Sequence, residues 1–328
     1  MTHRLSRHAL VLGLAAALGL TGCGAGGETS SSPAAGGTGL EKTTIRVGAL
    51  PVPDPVALYI AQAKGFFEEE GLTVEPVTIT GGAAALPQIE SGALDVSQTN
   101  YVSTFLAVSQ GKKIKLVADM YQAAPNAFTI MVPKDSPIKT VADLKGRTIL
   151  VNNLRNIATL AVTSQLKAVG LTENDVKFAE KPFPEMGNAI NSGQADAGWF
   201  TEPFITANQK TLGFRTVADT MTGPTAELPI AGWMATQEWA QKHPKTLAAF
   251  QRAIARAQQL ASADRKEIEA ALATYTKIDA GTAAAITLGT YPSTLDAARL
   301  QKVADLMLEY QYISAPIDVK SVIASAAG

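Results

Sequence analysis

Residues 89–97 read IESGALDVS, and residues 190–198 read INSGQADAG. Ile, Ser, Gly and Asp recur there in the same order, and a Gly-Leu-Thr triplet stands upstream of each copy, at residues 71–73 and 170–172. Coincidence between two α/β turns is the alternative explanation for any one match. Because the matches form an ordered series, we interpret the chain as two related halves.

Each half follows the same order of predicted strands and helices. β-rich runs stand at residues 45–47 and 148–151, and a helical pattern follows each of them. In the first half Ala63 and Phe67 lie at helical spacing before Gly71, which can supply the left-handed residue that ends a helix. Strands separated by helices imply parallel βαβ units. The sequence therefore predicts an α/β protein in which each lobe is a mostly parallel sheet flanked by helices.

The N-terminal segment has the features of a bacterial lipoprotein signal. Arg4 and Arg7 precede twelve residues that are all apolar or Gly, a run too short for a bilayer, which needs about 20. A small-residue cleavage site leads into Cys23, the only cysteine of the chain. We expect residues 1–22 to be removed and Cys23 to be lipidated. The alternative is an ordinary secretory signal followed by an incidental cysteine.

The rest of the chain divides into a tether and a folded part. Residues 23–43 consist mainly of Gly, Ser, Thr and Ala, a composition typical of a flexible linker. The folded part begins at Thr44, and its length is too great for one small core, so two lobes are expected. We predict lobe one from residues 44–130 and 230–328, and lobe two from residues 131–229.

The charge balance and the histidine count argue against several functions. The chain has 28 Lys and Arg against 29 Asp and Glu, without a basic patch, so nucleic acid is not an expected partner. His243 is the one histidine after the signal segment, and neither a Gly-x-Ser-x-Gly elbow nor a phosphate-binding P-loop occurs. We therefore expect neither an enzyme nor a metal or other cofactor. A lipoprotein enzyme and a lipoprotein adhesin or sensor are the competing hypotheses.

Short motifs occur in a fixed order along the folded part. They are AKGFF at residues 63–67, GG at 81–82, SGALD at 91–95, VADLKGRTI at 141–149 and EPF at 202–204. Over roughly residues 44 to 315, their order and spacing resemble the solute-binding proteins of ABC importers. The branch is the one that binds sulfonates, nitrate, taurine and thiamine-precursor pyrimidines. Sulfonate-binding members usually have a Gly-Ser-Ser-like turn where this chain has residues 153–156.

The resemblance implies both a fold and a working cycle. It implies a type II periplasmic-binding-protein-like fold whose two lobes close on a ligand like a hinged clamp. The N-terminal signal predicts an extracytoplasmic protein, lipid-anchored to the cell membrane, and we expect a monomer. Such a protein delivers a small solute to the permease of its cognate ABC importer.

Ligands of open α/β sheets bind outside the carboxyl ends of the strands, where helices begin. Six predicted loops meet this description, three in each lobe, and a further candidate lies near the first crossover. The candidate ligand-binding residues are Pro53, Asp54, Gly81, Gly82, Ala83, Thr99, Asn100, Tyr101, Gln122, Asn153, Arg155, Asn156, Trp199 and Glu202.

Several of these candidates also have a purely structural interpretation. The pair Gly81-Gly82 suits backbone N–H contacts to an anion, or forms a plain tight turn. Asn153 and Asn156 are suited to donate to a ligand, or to cap the next helix. Arg155 is suited to a carboxylate or sulfonate, or is a solvated surface residue. Glu202 is suited to an ammonium group, or complements a helix dipole.

The candidate charges predict the kind of ligand. Arg155 and Glu202 lie on neighbouring loops, one suited to an acid and the other to an amine. We therefore expect a small anionic or zwitterionic solute, with taurine-like compounds as the concrete expectation. The alternative is a neutral aromatic, such as a thiamine-precursor pyrimidine, stacked on Trp199, Phe200 or Trp233.

Overall fold

A computed structural model describes residues 39–324 of the chain. The predicted signal segment, Cys23 and most of the predicted tether lie outside the described residues. Within residues 39–324, no helix combines the length and the apolar character needed to cross a membrane.

The described part contains ten strands and twelve α-helices. The strands are β1 (Thr44–Ala49), β2 (Thr73–Thr78), β3 (Val96–Asn100), β4 (Ile114–Gln122), β5 (Phe128–Val132), β6 (Thr148–Val151), β7 (Lys177–Glu180), β8 (Ala197–Thr201), β9 (Arg215–Asp219) and β10 (Pro229–Thr236). The helices are α1 (Val56–Ala63), α2 (Phe66–Glu69), α3 (Gly82–Glu90), α4 (Tyr101–Ser109), α5 (Ile157–Ala168), α6 (Phe183–Asn191), α7 (Phe204–Leu212), α8 (Gln237–Lys242), α9 (Pro244–Ala263), α10 (Arg265–Tyr275), α11 (Ala280–Ala285) and α12 (Ala297–Glu309).

The strands form two five-stranded sheets with the same plan. Their orders are β2-β1-β3-β10-β4 and β7-β6-β8-β5-β9. In the first sheet β2, β1 and β3 pair in parallel, and β10 pairs antiparallel with both β3 and β4. In the second sheet β5 takes the place of β10. One strand in each sheet therefore opposes the other four, which confirms the prediction of two α/β lobes with mostly parallel sheets flanked by helices.

The two copies of the repeated motif make the same hydrogen bonds. The Asp95 carboxylate accepts from the Arg46 N–H at 2.9 Å, and the Asp95 N–H donates to the Arg46 carbonyl at 2.9 Å. Asp196 makes the matching pair with Thr148, at 2.8 and 3.0 Å. Asp95 thus ties the start of β3 to β1, and Asp196 ties the start of β8 to the start of β6.

The lobe boundaries differ from those predicted. β5 pairs with β8 and β9, so the chain crosses into lobe two at residues 123–127, before the predicted boundary at 130. It returns at residues 220–228, and β10 lies in the first sheet. All five residues of β5 are buried. A short apolar run of this kind is suited to either sheet, so the sequence does not indicate which lobe receives it.

The C-terminal helices pack mainly on lobe one. α9 and α10 lie against α1, and α12 lies against α4 and β10. Phe250 of α9 packs between Phe67 and Trp233, with ring centroids 6.0 and 5.7 Å away. Several hydrogen bonds join this segment to lobe two. They include bonds from the Thr287 N–H to Glu202, from Arg155 to the Tyr312 carbonyl, and from Lys210 to the Thr282 hydroxyl. The C-terminal segment therefore contacts both lobes.

Candidate functional site

A small cavity lies between the lobes, at the carboxyl ends of the central strands. Its volume is about 40 Å³, which is room for roughly three water molecules. Lobe one, including β10, contributes Leu50, Val52, Asp54, Gly82, Gln98, Asn100, Ile230 and Ala231. Lobe two contributes Phe128, Asn152, Asn156, Ile157, Phe183, Trp199 and Thr201.

Three amide side chains in the lining have their oxygen atoms already occupied. Gln98 Oε1 accepts from the Leu50 N–H at 2.8 Å, and Asn100 Oδ1 accepts from the Ser103 N–H at 2.8 Å. Asn152 Oδ1 accepts from the amide of Asn156 (2.9 Å). Each oxygen is held in place, so each NH₂ group stays available as a donor at the cavity. The site therefore offers three oriented donors to an acceptor on a ligand.

Asn156 performs the capping role that the sequence offered as one alternative. Its Oδ1 accepts from the N–H groups of Ala158 at 2.9 Å and Thr159 at 3.3 Å, at the start of α5. Its NH₂ group donates to Asn152, as described above. Because both ends of this amide are used within the protein, Asn156 acts on the cavity by orienting Asn152.

Asp54 is the one acidic residue that lines the cavity. Its side chain is buried, and Oδ1 has no hydrogen-bond partner among residues 39–324. Burial raises the pKa of this carboxyl from its ordinary value to about 7. No lysine or arginine lines the cavity in the described part of the chain. The site thus combines amide donors with a single acid that lacks a counter-charge.

Four aromatic rings of lobe two form a row, and three of them line the cavity. Phe128 stacks on Trp199 with ring centroids 5.1 Å apart, Trp199 lies 6.3 Å from Phe183, and Phe183 stacks on Phe204 at 5.4 Å. The indole N–H of Trp199 donates to Thr220 Oγ1 at 2.9 Å, which holds its ring in place. We call Phe128, Trp199, Phe183 and Phe204 the aromatic row.

The structure brings together five of the fourteen predicted ligand-binding residues. Those that line the cavity are Asp54, Gly82, Asn100, Asn156 and Trp199. The residues that it places outside the lining are Pro53, Gly81, Ala83, Thr99, Tyr101, Gln122, Asn153, Arg155 and Glu202.

Four of the residues outside the lining have contacts within lobe one. The Tyr101 hydroxyl donates to Asp119 at 2.6 Å, and Gln122 Oε1 accepts from Arg299 at 2.9 Å. The Thr99 hydroxyl shares a hydrogen bond of 3.0 Å with Thr104. The Pro53 carbonyl accepts from the Tyr291 hydroxyl. Ala83 is exposed on α3.

Gly81 and Asn153 meet across the cleft, one from each lobe. A Cβ atom at Gly81 would overlap Asn153 Oδ1, a buried oxygen that has no hydrogen-bond partner among the described residues. The φ angle of Gly81 is 169°, an extended conformation that any residue adopts. The need for glycine here therefore comes from close approach of the lobes and not from the backbone angle.

Arg155 and Glu202 do not form the acid-and-amine pair expected from the sequence. The Arg155 guanidinium donates to the Tyr312 carbonyl at 2.9 Å and lies 5.3 Å from the centre of the Tyr312 ring. The Glu202 carboxylate accepts from the Thr206 N–H at 3.1 Å and from the Thr206 hydroxyl at 2.9 Å, at the start of α7. Burial raises the pKa of Glu202. Each charge is thus engaged separately, and Asp54 is the acid at the cavity.

Two aromatic residues of the alternative ligand hypothesis also lie outside the lining. Phe200 packs edge-on against Phe214 at 6.3 Å, and Trp233 packs against Phe250 within lobe one. Both rings are fully buried in the core. Of the three proposed stacking residues, only Trp199 lines the cavity.

Two polar lining residues, Gln98 and Asn152, lie in loops that the sequence predicts at the strand ends but are not among the fourteen candidate ligand-binding residues. Gln98 is a polar residue within the buried strand β3, and Asn152 directly follows the buried strand β6. A polar residue at the end of a buried strand is the signal that could have identified both. Phe128 belongs to β5, and only the pairing of β5 with β8 shows that this strand lies in lobe two.

Comparison with known proteins gives matches to one family of sequences and to one fold. A family profile described as NMT1/THI5 like matches residues 52–268. The riboflavin-binding protein RibY of Chloroflexus aurantiacus is 29% identical over 190 residues, covering 54% of this chain and 52% of that protein. A putative aliphatic sulfonates-binding protein of Escherichia coli is 24% identical over 253 residues, covering 75% and 78%. The match thus spans about half the length of the first relative.

Solved structures share the two-lobed architecture. The crystal structure of the periplasmic aliphatic sulphonate binding protein SsuA from Escherichia coli superimposes with a TM-score of 0.67. The superposition covers 86% of this chain and 98% of that one, with 22% sequence identity. At this identity the likeness establishes the fold, which agrees with the type II periplasmic-binding-protein-like architecture expected from the sequence.

Proposed function

The chain belongs to the NMT1/THI5-like family, and on that premise we propose that it is a solute-binding protein of an ABC importer. It captures a small solute between its two lobes and delivers it to the permease. The observation that carries this proposal is the cavity between the lobes, which is lined by three amide side chains whose oxygens are engaged and by one buried acid without a counter-charge. Such a site is suited to hydrogen bonding of a polar solute without metal or covalent chemistry.

We propose a small zwitterion, such as a taurine-like compound, as the solute. The amide groups of Gln98, Asn100 and Asn152 donate to the oxygens of its acid, and Asp54 accepts from its ammonium group. Hydrogen bonds to charged groups contribute about 1.5–3 kcal/mol each. Micromolar affinity corresponds to about 8 kcal/mol, which four such bonds reach at about 2 kcal/mol each. An anion that lacks an amine is less suitable, because its charge would lie close to an unpaired carboxylate.

A neutral aromatic solute is the second candidate, and the aromatic row favours it. Trp199 and Phe183 offer ring faces and edges to a flat ligand, and such contacts contribute about 0.5–1.5 kcal/mol beyond burial. With its pKa near 7, Asp54 is able either to donate to a ring nitrogen or to accept from a ring amine. An aminopyrimidine would satisfy this pattern.

A thermal-shift and calorimetry screen of the purified protein distinguishes these candidates. A ligand that binds the folded state raises the melting temperature. Taurine, ethanesulfonate, nitrate and 4-aminopyrimidine are compared on wild type and on Asp54→Asn. We expect taurine to bind wild type best and to lose at least tenfold in affinity on Asp54→Asn. Best binding of 4-aminopyrimidine would select the aromatic candidate, and no binding of any of the four would contradict the proposed function.

We further propose that the protein works outside the cytoplasm and is anchored to the membrane through Cys23. The proposal is supported by the charged, apolar and small-residue pattern of residues 4–23. Acyl chains contribute about 0.8 kcal/mol per buried CH₂, which is sufficient to anchor a folded domain when two chains are present. Membrane fractionation of wild type and Cys23→Ser tests it. Cys23→Ser is expected in the soluble fraction, and a variant that remains wholly membrane-bound would contradict the anchor.

The same proposal includes binding without turnover, and the competing hypothesis is that the protein is an enzyme. A binding protein releases its solute unchanged, whereas an enzyme converts it. Mass spectrometry of taurine recovered after prolonged incubation with the protein is expected to return the compound unchanged. A stoichiometric or greater conversion would favour an enzyme.

A further inference from the structure

A second space opens between the lobes next to the cavity. It has a volume of about 230 Å³ and is lined in part by Leu50, Pro51, Ile79, Pro182, Phe183 and Phe204. Leu50 and Phe183 also line the cavity described above. The two spaces are therefore neighbours that share two walls, and we call the larger one the outer chamber.

The lining of the outer chamber is mainly apolar, with Thr78 and Thr80 of lobe one and Glu185 of lobe two as its polar members. Lobe one contributes Leu50, Pro51 and Ile79, and lobe two contributes the stacked rings of Phe183 and Phe204. These two rings are the outer half of the aromatic row, whose inner half, Phe128 and Trp199, lines the cavity. One continuous aromatic wall thus passes from the polar cavity into the apolar chamber.

The outer chamber is several times larger than the cavity, and this difference bears on the size of the ligand. The cavity holds about 40 Å³, and the outer chamber holds about 230 Å³. The cavity contains the amide donors and Asp54, whereas seven of the ten residues that line the chamber are apolar. A solute with only a polar head would leave the larger, apolar space filled with water.

We propose that the outer chamber is a subsite for an uncharged apolar arm of the solute whose polar head occupies the cavity. The arm is a planar ring or a similarly sized apolar group, lying between Ile79 and Pro51 on one side and Phe183 and Phe204 on the other. This inference rests on the proposed solute-binding function and adds the second half of the ligand to it.

Burial of a phenyl-sized group contributes about as much as burial of a large apolar side chain. That contribution corresponds to roughly tenfold to hundredfold in affinity. We therefore expect an arm-bearing compound to bind at least tenfold more tightly than the same head without its arm.

The test uses two pairs of compounds with matched heads on the full-length protein. One pair is ethanesulfonate and 2-phenylethanesulfonate, and the other is taurine and N-benzyltaurine. Calorimetry gives the affinity ratio within each pair for wild type, Phe204→Ala and Phe204→Leu. Phe66→Ala is the control, because Phe66 is a half-buried phenylalanine of lobe one that packs under Arg256 and lines neither space.

The expected result is a ratio of at least ten in one or both pairs. This ratio falls at least threefold in Phe204→Ala, less in Phe204→Leu, and stays unchanged in Phe66→Ala. If both heads bind but neither arm improves affinity, the subsite is overturned while the proposed function stands. A gain that survives unchanged in both Phe204 variants overturns it as well. If none of the four compounds binds, the subsite and the zwitterion proposal both fail.

Discussion

The side-chain amide of Asn156 donates a hydrogen bond of 2.9 Å to the side-chain oxygen of Asn152. Asn156 is fully buried and caps α5 with its own oxygen. A single side chain therefore both begins a helix and sets the direction of a neighbouring donor. The two roles separate under substitution.

We expect Asn156→Ala to lose both roles and Asn156→Asp to lose one. Loss of an N-cap costs about 1 kcal/mol, which corresponds to a decrease of roughly 2–4 °C in melting temperature. An Asp at position 156 keeps the cap, but its carboxylate only accepts hydrogen bonds. The Asn152 amide would then have to rotate so that its NH₂ group donates to this carboxylate, and that donor would no longer be available at the cavity. Both variants should bind taurine more weakly, and calorimetry with thermal melts measures both effects. Asn156→Asp that binds as tightly as wild type would contradict the orienting role.

Asp54→Asn should change the stability of the protein in a pH-dependent manner. The folded-state pKa of Asp54, about 7, lies above the ordinary aspartate value of 3.8, so the folded state binds the proton more tightly. Proton binding by the Asp54 carboxyl stabilises the folded state fully below pH 3.8. This stabilisation decreases as the pH rises and is lost above pH 7. A shift of this size corresponds to on the order of 4 kcal/mol.

Thermal melts of wild type and Asp54→Asn at pH 4 and pH 8 measure this effect. The variant is expected to gain stability relative to wild type as the pH rises, because Asn has no charge to bury. Other titrating groups contribute equally to both proteins and cancel in the difference. A difference that stays constant between the two pH values would contradict the raised pKa.

Binding of an amine-bearing solute should depend on pH through the same carboxyl. An ammonium group interacts with ionised Asp54, so taurine affinity should decrease as the pH falls below about 7. The limiting slope is about tenfold per pH unit. Ethanesulfonate, which has no amine, should not lose affinity over this range. Titration calorimetry between pH 5 and pH 8 checks both, and a parallel decrease for the two compounds would argue against an amine at Asp54.

Tyr275→Phe should weaken binding by loosening the loop that carries Asp54. The Tyr275 hydroxyl donates to the Val52 carbonyl at 2.8 Å, two residues before Asp54. Removal of one such bond costs about 1 kcal/mol, or about fivefold in affinity if the whole effect reaches the ligand. Tyr59→Phe is the matched control. Its ring stacks on Tyr275 at 3.7 Å, and its hydroxyl has no hydrogen bond among the described residues. Equal taurine affinities for Tyr275→Phe and Tyr59→Phe would contradict the prediction.

Gly81→Ala should oppose closure of the lobes. The added Cβ would overlap Asn153 of the other lobe, whereas the extended backbone at Gly81 accepts alanine. We expect at least tenfold weaker taurine binding with little change in the melting temperature of the free protein. Small-angle scattering should show a decrease in the radius of gyration with ligand for wild type and a smaller decrease for Gly81→Ala. Ala83→Ser, at an exposed position two residues away, serves as the control.

The sequence by itself determined the duplicated plan of the protein. The Ser-Gly-x-x-Asp motifs, the Gly residues that end helices and the β-rich runs are local signals, and each acts within a few residues. They were sufficient to predict two α/β lobes, and Asp95 and Asp196 make equivalent hydrogen bonds because their surroundings repeat. The same local character identified the strand ends at which a ligand would bind.

Only the tertiary structure decided which side chains at those strand ends line the cavity. Arg155 is turned to the Tyr312 carbonyl, 157 positions away in the chain, and β5 pairs with strands that begin about 70 and 90 residues later. Asp54 lines the cavity, and its Oδ1 has no hydrogen-bond partner among residues 39–324. The direction of each side chain depends on hydrogen bonds and packing between segments that the chain brings together only on folding. A local pattern carries no information about those partners.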